Sequence, residues 1–169
     1  MSSSSRMEQL VNRMRGVRSF TEMFLDGITD AEWFWSPPEY TTHLAWQVGH
    51  IAVAEYGLCM RRIRGREAAD ESLISETFIE AFKPGSIPNV DPAKNPPLAE
   101  IQQVFAAVHT RALEEVAGLD ERQLTGPLDP PHPRFKTKLE AVEFSPLHEL
   151  VHAGQIAMLR RLMGKPPLR

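Results

Sequence analysis

The 169-residue sequence predicts an all-α protein, a four-helix bundle with long proline-rich connections. Three observations predict it. The 14 prolines fall at 37–38, 84–97, 127–133, 146 and 166–167, and long proline-free windows lie between them. Proline marks helix boundaries because it lacks an N–H and its ring collides with the preceding turn. Four of those windows place apolar residues at three- and four-residue steps, the period of a helix that buries one face. No repeat, low-complexity tract or heptad run is present, so a bundle is favoured over a coiled coil, and the long connections allow crossovers. At this length one domain, 1–169, is expected.

The first helix is predicted over about 6–28, with Leu10, Met14, Val17, Phe20 or Thr21, Phe24 and Ile28 inward. The serines before it can cap it, and Gly16 weakens it slightly. The turn from Thr29 to Pro38 carries Trp33 and Trp35, aromatic anchors expected to pack down over the helices. The second helix is predicted over about 42–64, capped by Thr41 or Thr42 and stopped at Gly65. One of its faces reads Trp46, His50, Val53, Gly57, Met60, and the small residues Gly49, Ala52, Ala54 and Gly57 permit close approach of a neighbour.

From Arg66 to Pro97 the sequence offers one short amphipathic piece, Leu73 to Phe82, and then a proline-rich stretch. A connection that long is usually functional or poorly ordered. The third helix is predicted over 98–117, with Ile101, Val104 or Phe105, Val108, Ala112 and Val116 inward. His109 lies one step off that face and reads as partly exposed. Gly126 to Phe144, which holds His132, reads as a second irregular connection forming a rim or lid. The fourth helix is predicted over about 146–164. Ser145 would cap it, Pro146 would take its first position, and Gly164 and Pro166-Pro167 would end it.

A hydrophobic fraction of 42% and a charged fraction of 24% are those of an ordinary soluble protein. A net charge of −3 gives no basic footprint, which argues against nucleic-acid binding. No apolar run approaches a membrane span, and Met1 to Ser5 lacks the apolar core of a signal peptide, so a soluble cytoplasmic protein is expected. The single Cys59 fits a reducing compartment and, between Leu58 and Met60, reads as a small buried apolar residue.

His148 and His152 stand four apart, hence one turn apart on one face of the last helix. Two imidazoles at that spacing can reach one divalent metal ion. The competing reading is a pair of half-buried histidines satisfied by hydrogen bonds. The segment also matches H-E-x-x-H, the zinc-protease pattern in which Glu149 would be the base. Ala153 to Arg169 contains no His, Asp or Glu, so the downstream ligand of that pattern is absent. The third ligand must then come from upstream. His50 is best placed, with His43, two turns earlier on roughly the same face, and His109 as alternatives. Three neutral nitrogens suit zinc, nickel or iron and leave positions open for water or substrate. Glu149, Gln155 and His43 are candidates for orienting the ligands or handling protons. Tyr56, Arg61 and Arg64 read as packing and solvated face.

These residues resemble the DinB-like (DinB/YfiT) superfamily of metalloenzymes built on a four-helix bundle. The resemblance runs through Leu44-Ala45-Trp46-Gln47-Val48-Gly49-His50-Ile51, then His148-x-x-x-His152-Ala153-Gly154-Gln155-Ile156 and Leu159 to Gly164. It implies a divalent metal on His50, His148 and His152. It further implies a metal-dependent enzyme acting on small molecules, foremost an S-transferase using a low-molecular-weight thiol, and a homodimer as a recurrent assembly. A non-catalytic metal- or ligand-binding bundle and a small-molecule hydrolase are the alternatives within the same resemblance.

Overall fold

Four long helical segments carry the core of the computed structural model, which describes residues 5–38 and 42–167. The helices are α1 (Arg6–Leu25), α2 (Leu44–Tyr56), α3 (Arg62–Arg64), α4 (Asp70–Leu73), α5 (Glu76–Phe82), α6 (Leu98–Ala117) and α7 (Lys138–Leu162). A π-helical turn, Gly57–Arg61, joins α2 to α3. Among the described residues there is no strand, and the protein is all-α. Helix α2 packs on α6 and α7, and α1 packs on α7 and α6. The short helices α4 and α5 lie beyond the four segments read from periodicity; α5 packs on α2 and α4 on α6.

Local chemistry sets most of the ends. Ser5 and Glu8 form a reciprocal cap at the start of α1: the Glu8 N–H donates to Ser5 Oγ (3.2 Å) and the Ser5 N–H to the Glu8 carboxylate (2.7 Å). The helix stops at Leu25, short of the expected Ile28, because Gly27 takes φ +68° and turns the chain. Buried Arg160 donates to the freed carbonyls of Phe24 and Asp26. Helix α2 begins at Leu44, and its cap is His43, whose Nδ1 accepts from the Trp46 N–H (3.2 Å). Thr41, one of the two expected caps, lies outside the described residues. The helical path then runs through the π turn to Arg64 and ends where Gly65 turns at φ +88°.

The last helix differs most from expectation. It begins at Lys138, capped by Thr137, and Ser145 and Pro146 lie inside it. A proline in a helix interior costs on the order of 3 kcal/mol. Burial offsets that cost here: Ala141 and Val142 are fully buried, and Ser145 and Pro146 are buried with them. The stretch assigned to an irregular rim is thus helical from Lys138 onward.

A charged group stands inside the apolar core. Arg18 of α1 is 3% exposed and donates to Glu149 of α7 (2.8 and 3.2 Å), to Glu55 of α2 (2.9 Å) and to the Phe105 carbonyl of α6 (2.9 Å). Glu55 in turn bonds His109 Nδ1 (2.8 Å). His109 is therefore buried, not partly exposed, because a buried carboxylate supplies the partner that solvent would have given. One guanidinium ties all four long segments together.

Candidate metal centre

The packing of α2 on α7 brings His50, His148 and His152 together. One ligand atom from each lies within 4.8 Å of the other two. The ring centroids are 5.2 Å apart for His50 and His148, 4.8 Å for His50 and His152, and 4.5 Å for the α7 pair.

Two of the three rings have a hydrogen-bond partner outside the trio. His50 Nδ1 stands 2.8 Å from the Phe82 carbonyl, which can only accept, so Nδ1 carries the proton. Phe82 ends α5, and its carbonyl has no helical partner of its own. The approach depends on Gly49: a Cβ there would stand 2.6 Å from the Phe82 ring. His152 Nδ1 lies 2.6 Å from Gln47 Oε1, while Gln47 Nε2 donates to Thr42 Oγ1 (2.8 Å). The Thr42 hydroxyl can donate or accept and so does not choose the amide's orientation; with Oε1 toward the ring, His152 donates from Nδ1. Nε2 is left as the free nitrogen of both His50 and His152. Outer hydrogen bonds of this kind fix the tautomer and raise the basicity of metal-ligating histidines.

The chemistry of the donor set fits a cation. His148 Nε2 and His152 Nε2 are 3.3 Å apart. Around a tetrahedral zinc with Zn–N near 2.0 Å, ligand nitrogens stand roughly 3.3 Å apart. At that distance His148 Nε2 either donates its own proton to the His152 Nε2 lone pair or shares a metal with it. Burial pushes His148 down to about 4, with His50 and Arg134 adding to it. Burial also takes His152 to about 3, helped by His148 and His50 and opposed by Gln155. His50 is lowered by burial against the pull of the Phe82 carbonyl. Near neutral pH all three rings are in the unprotonated form that binds metal.

The other candidates fall elsewhere. His43 is fully buried at the start of α2, packs against Phe34 and is held by its capping bond, apart from the trio. Both Glu149 oxygens accept from Arg18, which removes the carboxylate from the base position that a protease reading needs. Gln155 lines a cavity beside His152. His132 stacks on Phe135 in the 126–137 connection, and His109 belongs to the Arg18 network. Cys59 is fully buried, and burial pushes its thiol up, against service as a nucleophile. Trp46 stacks on His50 at 4.8 Å and 7°, held by its indole N–H to Ser86 (2.9 Å).

Sequence reasoning missed Gln47 and the Phe82 carbonyl. The first carried a legible signal: a lone amide three residues before His50, on a helix otherwise apolar there. A main-chain carbonyl carries none.

Among the described residues no helix is long and apolar enough to cross a membrane. Residues 13–156, most of the chain, match the profile described as the DinB superfamily. No curated protein matches the chain.

Proposed function

The chain belongs to the DinB superfamily, and we propose from this that it is a metal-dependent enzyme acting on small molecules, a thiol-dependent S-transferase with zinc, nickel or iron on His50, His148 and His152. One observation carries the reading: three imidazoles, those of His50 and His152 buried and that of His148 partly buried, converge within 4.8 Å, with hydrogen bonds from His50 to the Phe82 carbonyl and from His152 to Gln47. On this reading the four long helical segments form the family's bundle, with α4 and α5 added to it.

A divalent metal at such a site lowers the pKa of a bound thiol or water toward neutrality. The residues around it do the rest. Gln47 and the Phe82 carbonyl hold the ligand rings in place, and Trp46 covers His50 and excludes water on that side. The thiol gives its proton to solvent, its sulfur forms a bond to an electrophilic carbon, and the group displaced from that carbon leaves with the bonding pair. Cytoplasmic residence is part of the same proposal, supported by the lone buried Cys59. So is a homodimer, supported by Leu147, Leu150 and Val151 exposed on α7.

Elemental analysis of protein purified without a histidine tag tests the metal. About one divalent ion per chain is expected in the wild type, lost in His50→Ala and His148→Ala while helicity by circular dichroism persists. Metal-dependent consumption of a small thiol in the presence of an alkyl halide then tests the transferase. Absence of metal in every form, even after reconstitution with zinc, nickel and iron, would refute the enzyme reading. Metal without turnover would favour a metal-binding bundle.

A further inference from the structure

Beside His152 the chain surrounds a cavity of about 740 Å³, within the range that holds drug-sized ligands. Trp46, Pro37, Pro88, Met158, Leu159 and Leu162 give it apolar walls. Among the described residues the lining holds no Asp, Glu, Lys or Arg. Much of the polar lining is engaged internally: Gln47 bridges Thr42 and His152, and Ser86 accepts from the Trp46 indole. The apolar character continues outward, where Met158 and Leu162 are 56% and 50% exposed and Ile87, between two lining residues, is 85% exposed.

From His152 the wall follows α7 through Leu159 to Leu162. The ten steps of helix from His152 to Leu162 make that wall about 15 Å long at 1.5 Å per residue, with the histidine at one end. An ion placed along it would lose hydration and meet no countercharge among the described lining residues. The opposite flank of the trio differs. There the Arg134 guanidinium stands 4.9 Å over the Phe144 ring, which packs against His148 at 5.9 Å.

We propose that this cavity binds the uncharged, apolar body of the electrophilic substrate, an arene or a branched alkyl group, with its reacting end toward His152. The ionic groups of a thiol co-substrate lie outside it, on the His148 side. The proposal rests on the metal-dependent reading for the word substrate, and on the cavity alone for the class of ligand.

Equilibrium dialysis with three probes of one shape tests it: neutral 2-methoxynaphthalene, anionic 2-naphthoate and cationic 2-naphthyltrimethylammonium. Each is measured on zinc-reconstituted and on chelator-treated protein, because a carboxylate could ligate the metal directly. The neutral arene is expected to bind the chelator-treated protein at least about tenfold more tightly than either ion. Met158→Glu and Leu162→Glu, both at the half-exposed mouth, are expected to weaken it about tenfold with zinc content and helicity unchanged; a charge in an apolar wall carries that penalty. Equal or tighter binding of naphthoate, no binding of the neutral probe, or indifference to both substitutions would overturn the proposal. Neutral-arene binding in a protein that takes up no zinc would support the cavity assignment and count against the metal reading alone.

Discussion

Replacing Gly49 with alanine should loosen the metal centre without touching a ligand. The added Cβ would lie 2.6 Å from Phe82 Cγ and 2.7 Å from both Cδ atoms. Carbon atoms rest about 3.5–4.0 Å apart, so the ring must retreat by roughly 1 Å. Phe82 is fully buried and packs on Phe78 at 4.7 Å, so the retreat carries the end of α5 with it. The bond from His50 Nδ1 to the Phe82 carbonyl, 2.8 Å now, would stretch toward 4 Å, beyond hydrogen-bonding range. Overpacking costs about 1–3 kcal/mol, and exchanging glycine for alanine in a helix returns up to about 1. The net loss of stability is therefore about 1 kcal/mol, modest enough to leave the fold intact. Loss of the outer partner of a ligating histidine typically lowers metal affinity about 10–100-fold. Chelator competition for zinc and urea unfolding of the metal-free protein read the two effects separately. Gly16→Ala is the control: nothing lies within 4 Å of its Cβ, so it should stabilise by about 0.5–1 kcal/mol and leave zinc affinity alone. Wild-type zinc affinity in Gly49→Ala would refute the chain of reasoning from glycine to carbonyl to imidazole.

Gln47→Leu removes the acceptor for His152 Nδ1–H and should lower zinc affinity about 10–100-fold; the same chelator competition checks it, with Gln47→Glu expected to restore much of the loss. Arg18→Met leaves Glu55 and Glu149 buried without their countercharge and should cost about 3–5 kcal/mol in urea unfolding; a loss under 1 kcal/mol would show that the network relaxes into solvent. His43→Asn keeps a capping side chain and removes an imidazole that burial holds down to about 4, against its ordinary 6.5. Below pH 6.5 the unfolded chain takes a proton that the folded chain refuses, so folding weakens as pH falls from about 6.5 to 4, by up to about 3 kcal/mol for this group. Denaturation of metal-free wild type and variant at pH 7.5 and 5 should show a smaller acid-induced loss in the variant, and equal losses would place the acid sensitivity elsewhere.

Much of this architecture is legible in the residues. Helix α6 spans the 98–117 window marked by its apolar steps, and Gly65 stops the second segment because it alone turns there at positive φ. The pairing of His148 and His152 on one face could be read because i, i+4 spacing is a local property, whereas the arrival of His50 beside them, in place of His43 or His109, depends on how α2 packs on α7. Pro146 misled because proline at a helix start and proline inside a helix look alike in sequence; the burial of Ala141 and Val142 decides between them. Arg18 occupies the inward stripe between Met14 and Thr21, but its charge reads as solvated until Glu55 and Glu149 are known to meet it. His109 was misjudged for the same reason. Pairings across helices depend on tertiary distance, which no spacing encodes.

The Phe82 carbonyl and Gly49 also set a sequence in time. Chains emerge from the ribosome amino end first, and a domain folds as a unit. Helix α5 follows α2 closely in the chain, whereas α7 comes last. The Phe82 carbonyl that orients His50 is thus synthesised well before His148 and His152. On the metal-dependent reading proposed above, an ion can be held by all three histidines only once the final helix brings its two donors to His50. A chain truncated before α7 would carry one of the three imidazoles and no means of retaining an ion.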